Sequence, residues 1–149
     1  MTFDPSQDTG PHWSPDGWRL LFSSDRAKPG VSNLYLINAD GTGDATRLTD
    51  STQSQVGSSW HPNGALVSFM ESRSPTQLDL MILPIHEDAV RGVVPGKPTV
   101  FWSNPAIKVL PAFSPDGRWI AYASTEAGGN VFDVYVRPLP GPGGLRRAS

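Results

Sequence analysis

The chain has 149 residues, enough for one ordinary domain with a real core, and a formal net charge of −2. That balance supplies no basic field for a nucleic-acid backbone, and the absence of cysteine rules out disulfides and thiol chemistry. Fifteen glycines and fifteen prolines recur along the chain as punctuation, a pattern of many short strands rather than of disorder.

The opening MTFDPSQDTG has no basic and no apolar signal region, and no window approaches 18 consecutive apolar residues. No membrane insertion is expected, and the compartment stays open. At residues 13–17 comes WSPDG, which returns as WHPNG at 60–64 and as FSPDG at 113–117. Alignment on Pro15, Pro62 and Pro115 gives spacings of 47 and 53 residues and extends well past the turn. Proline presets φ, Asp or Asn bonds back to its own backbone, and glycine accepts positive φ, so each copy predicts a tight hairpin.

After each turn runs a strand-like segment: RLLFSS (19–24), LVSFME (66–71) and WIAYAS (119–124). A third segment follows, NLYLI (33–37), DLMIL (79–83) and DVYVR (133–137), and then a weaker fourth, ATRLT (45–49), PTVFW (98–102) and GLRRAS (144–149). Apolar and polar residues do not alternate cleanly, which implies sheets covered on both faces. The second unit carries an insertion, PIHEDAVRGVVPGK (84–97), and no helical periodicity of ten or more residues occurs anywhere. The prediction is an all-β chain of three four-stranded units, at about 9–51, 56–103 and 108–149. A period of 40–50 residues with four strands each is the signature of β-propeller blades.

The units resemble the TolB-like (WD-repeat-like) β-propeller repeat family, through the W/F-SPDG turn, the apolar second strand and a third strand of D/N-x-Y-x type. WHPNG departs by His61 and Asn63, which keep the turn chemistry. The third unit also looks like propeller repeats appended to some bacterial kinases and to prolyl-oligopeptidase-type peptidases. The resemblance implies a noncatalytic scaffold, gate or protein-binding module, and a periplasmic location if a signal has been removed, a cytoplasmic one otherwise. Such propellers usually have six blades, so three would leave two sheet faces bare. Four strands ~4.8 Å apart and about 17 Å long give each face ~320 Å². Two chains closing head to tail would cover four such faces, ~1,300 Å², the size of a specific interface. The expected assembly is a homodimeric six-bladed ring; the rival is a piece of a longer gate or sensor protein.

No G-x-S-x-G elbow is present, HE at 86–87 lacks a second histidine four residues on, and GPGG (141–144) lacks phosphate-loop spacing. Neither a catalytic group, a cofactor nor a metal ligand is expected. His61 sits at a turn position and reads as structural. His12 shares a column with Ser59 and Ala112 in the first strand, which would line a propeller channel. His12 and Ser59 could therefore meet a small molecule or ion there, with hydrolysis as the extreme case. Asp25 and Arg26, with Arg73 at the matching place, could form a rim for an acidic peptide. Trp13, Trp60, Phe113, Phe22, Phe69 and Tyr122 are expected in the core between units, and Trp18, Trp102 and Trp119 at contact surfaces.

Overall fold

The computed structural model describes residues 5–140 and 146–147, and among these every regular element is a β-strand. The first sheet holds β1 (Asp8–Trp13), β2 (Arg19–Ser24), β3 (Asn33–Asn38) and β4 (Thr46–Arg47), in that order and antiparallel. The second holds β5 (Gln55–Trp60), β6 (Leu66–Ser74), β7 (Gln77–Asp88) and β9 (Thr99–Trp102), with β8 (Gly92–Pro95) paired to the far end of β7. The third holds β10 (Lys108–Phe113), β11 (Trp119–Ser124), β12 (Asp133–Pro138) and β13 (Arg146–Arg147). Gly144, Leu145, Ala148 and Ser149 of the predicted last strand lie outside the described residues.

The repeated turn joins the first two strands of each sheet. In the first, Ser14 N–H donates to Arg19 O at 2.9 Å and Gly17 N–H to Ser14 O at 2.9 Å. The Ser14 hydroxyl is 2.5 Å from Asp16 Oδ1, which also takes Trp18 N–H at 2.9 Å. Ser114, Gly117, Asp116 and Arg118 repeat this pattern in the third. Ser114's hydroxyl, the Arg118 amide and the Arg118 guanidinium hold the Asp116 carboxyl well below the usual carboxylate range. In the middle copy His61 replaces serine, and Ala65 N–H donates to Asn63 Oδ1 at 2.9 Å.

The repetition continues into the first strands. Each carries a bulge at the same place, Thr9/His12, Gly57/Ser59 and Val109/Ala112. Beyond it His12 pairs with Leu21, Ser59 with Ser68 and Ala112 with Ala121, so the three form one column.

The sheets pack face to face through two apolar layers. Leu21, Leu34 and Leu36 of the first sheet meet Val67, Phe69 and Leu83 of the second. Met70, Leu80 and Ile82, on the other side of the second sheet, meet Ile120, Tyr122 and Tyr135 of the third. Adjacent residues of β6 thus point into different layers, which is why the sequence runs apolar without alternating.

Two expectations are corrected. Trp13 is 62% exposed, whereas Trp60 packs on the first layer and Phe113 on the second. This column faces the preceding sheet, and among the described residues the first sheet has none before it. Trp102, expected at a surface, packs on the second layer with the Arg137 guanidinium 3.4 Å from its ring centre. The insertion at 84–97 forms a hairpin, because β7 runs on to Asp88 and Gly92, at φ +74°, turns it back. An Arg19–Glu87 ion pair ties this hairpin to the first sheet. Trp18 is exposed, as expected for a contact residue.

Candidate functional site

The sequence singles out two places, the column of first strands and the rim after β2. In the column, β5 lies between β1 and β10, so the three first strands run side by side along one edge of the molecule. His12 is half-buried there; burial lowers its affinity for a proton, and a hydrogen bond to the Gly57 backbone opposes the effect in part. Its folded-state pKa is thus below the unfolded value, so its contribution to stability is present above about pH 6.5 and is lost as pH falls through the folded value. Thermal unfolding of wild type and His12→Gln between pH 7 and 5 checks this. Wild type should lose stability relative to the variant as the pH drops, and parallel profiles would refute the burial.

Ser59 has a structural occupation. Its hydroxyl lies 3.1 Å from Ser68 Oγ and accepts Phe113 N–H at 3.0 Å, bridging the second and third sheets. His12 and Ser59 share a column, but the ties of Ser59 run toward β6 and β10.

At the rim, Asp25 accepts Gln7 N–H at 2.9 Å and Gly30 N–H at 3.0 Å. These amides hold its carboxyl below the ordinary range, the Gly30 amide first. The Arg26 guanidinium lies 5.1 Å from the Phe22 ring centre and 5.0 Å from that of Tyr35, with Asp8 bonded at 3.0 and 3.1 Å. Asp25 and Arg26 line a surface cavity of about 390 Å³ with Pro5, Ser6, Gln7 and Pro29. Arg73 is engaged in the second sheet, 2.9 Å from Glu71 and 2.8 Å from Asp79. The matching arginines therefore serve separate sheets, and each already has a carboxylate partner.

The sequence reading passed over the most buried charges. Lys108, 0% exposed, donates its ammonium to the carbonyls of Leu78, Asn104 and Ala106 at 3.1, 2.9 and 3.0 Å. Burial lowers its pKa, while the charges of Asp79 and Glu126 act the other way. Beside it Arg137 donates from Nε to the Tyr122 hydroxyl at 2.8 Å, and Trp102 Nε1 and Asn104 Nδ2 both donate to Glu126 Oε2. Burial pushes the Tyr122 phenol up to about 12, so it is protonated at neutral pH. A polar residue heading an otherwise apolar strand was the available signal: Lys108 shares its column with Asp8 and Gln55. The network joins the second and third sheets. Among the described residues no three His, Asp or Glu groups gather as a metal site, and none forms a helix long and apolar enough to cross a membrane.

Repeated antiparallel sheets stacked face to face, with first strands adjacent, define the class: a β-propeller repeat protein. Its fold is that of the TolB propellers. The chain superposes on a TolB protein of Agrobacterium tumefaciens with a TM-score of 0.70 at 20% identity, covering 97% of this chain and 62% of that one. On TolB of Acinetobacter baumannii the TM-score is 0.73 at 23% identity, over 100% of this chain and 34% of that one. In sequence it is similar to the uncharacterized peptidase YuxL of Bacillus subtilis, 28% identical over 166 aligned positions. That match covers 91% of this chain but only a quarter of the length of the relative. No family model matches the chain.

Proposed function

We propose that the chain is a noncatalytic propeller module that binds a protein or peptide, its three sheets serving as three blades of a six-bladed ring completed by a second copy. The observation that carries the binding reading is the rim cavity, where the partly buried Arg26 stands beside open space at a sheet end. An acidic segment entering there would exchange with Asp8 for the guanidinium, an ion-pair swap rather than a new desolvation. Fluorescence anisotropy with a labelled oligoglutamate peptide tests this. The signal should rise on titration, weaken with salt, and require at least about tenfold more protein for Arg26→Ala. No rise with wild type, or equal binding by the variant, overturns the rim reading.

A second reading is favoured by the similarity to a protein named as a peptidase, of which this chain matches a quarter. Here the sheets would be the propeller portion of a larger enzyme, controlling what reaches a catalytic unit elsewhere. Addition of the chain to a peptidase supplied separately, with rates followed on short and long peptides, would distinguish a gate from a free-standing binder. A gate changes the ratio of the two rates, and a binder leaves it alone.

A further inference from the structure

Leu110 is the single non-glycine residue with positive φ among the described residues, at +55°, and it is 71% exposed. Left-handed backbone disfavours a side chain with a Cβ, and among the described residues this large apolar one stays mostly uncovered. The other two copies of its column are Gly10, also left-handed at φ +62°, and Gly57. A Cβ on Gly10 would point across the first junction, 3.8 Å from Val56 Cγ1 and 3.7 Å from Gly57 O of the next sheet. Leu110 shares the positive φ of Gly10, so its side chain leaves the third sheet in the corresponding direction, toward a sheet that would follow.

The first sheet presents what such a side chain needs. The column of Val56 is occupied there by Thr9, and that of Gly57 by Gly10. Thr9 borders an open apolar groove of about 310 Å³ with Pro11, Leu20, Phe22 and Ile37. Trp13 stands on the same face, 62% exposed among the described residues.

The third sheet repeats the match elsewhere. Ser32 accepts Gln55 N–H across the first junction at 2.8 Å, and its column in the third unit holds Phe132, 49% exposed. Val134 occupies the column of Leu34, which is fully buried in the first apolar layer, yet is 44% exposed. Projecting side chain and groove therefore both lie on this chain, at opposite ends of the stack, each in the column that the internal junctions use.

We propose that the third sheet of one copy docks on the groove face of the first sheet of a second copy, with Leu110 inserted beside Thr9. This specifies the contact by which the proposed ring closes, and it rests on that reading. The interface is heterologous, and two copies close it by using it twice.

The chain has no cysteine, so introduced ones are unique. Wild type should run in light scattering at twice the 16.1 kDa chain mass. Leu110→Asp should raise the dimer dissociation constant at least a hundredfold, with circular dichroism unchanged. The double variant Thr9→Cys, Leu110→Cys should give a covalent dimer with a short bismaleimide, where neither single variant does. A wild-type monomer at high concentration sinks the ring reading together with this contact. A dimer that survives Leu110→Asp and does not cross-link between positions 9 and 110 sinks the contact alone. If Leu110→Asp does not fold, the cross-link, made in an apolar background, decides.

Discussion

Lys108→Ala is expected to cost about 3–5 kcal/mol of stability in urea unfolding. Three backbone carbonyls converge on the ammonium, and with 0% exposure no water reaches them to replace it. Truncation leaves a cavity and orphaned acceptors together. Lys108→Met keeps most of the volume and also removes the cost of burying a charge, so it should lose only about 1–2 kcal/mol. Equal effects for the two would mean that the lost ammonium bonds alone matter and the cavity does not. Burial depresses the folded pKa below the unfolded value of about 10.4, so the unfolded chain holds the proton longer. Wild type should therefore gain stability relative to Lys108→Met as pH rises from the folded value to the unfolded one.

The second large effect separates three turns that look alike. Gly17, Gly64 and Gly117 have φ of +74°, +75° and +71°. Alanine at the first two meets open space, so only the left-handed backbone resists it, at about 1 kcal/mol. At Gly117 the new Cβ would run into the His61 ring. That ring is held in place: it packs edge-on against Phe113 with centroids 5.2 Å apart, and its Nε2 lies 3.0 Å from Gly117 O. Gly117→Ala should cost about 3 kcal/mol, and the excess of about 2 kcal/mol over the other turns should vanish in a His61→Ala background. Denaturation midpoints of the three alanine variants and of the double variant measure it. If all three glycine sites cost the same, the contact between the second and third turns is absent.

His61 also marks how far a one-dimensional reading reaches. Its turn position and structural role followed from the alignment with Ser14 and Ser114, because Pro, Asp or Asn and Gly act within five residues. Its bond to a turn 56 residues away did not. Arg26 and Arg73 were legible as a repeated column, but their carboxylate partners Asp8 and Asp79 come from neighbouring strands. Trp13 and Trp60 occupy equivalent places in sequence, yet among the described residues one is exposed and the other packs on the layer between the first two sheets.

The sequence by itself determined the all-β class, the three hairpins, the order of strands and the columns that relate them, because turn chemistry and strand pairing between neighbours are local. Tertiary structure alone decided which member of each column is buried, strained or ion-paired. Asp8, Gln55 and Lys108 begin equivalent strands, yet the first pairs with Arg26, the second bonds Glu71 at 2.6 Å, and the third is enclosed by carbonyls. Leu110 is an ordinary leucine in the sequence and a left-handed, exposed one in the fold. The physical reason is that burial and charge pairing depend on the facing sheet, whose residues are tens of positions away along the chain.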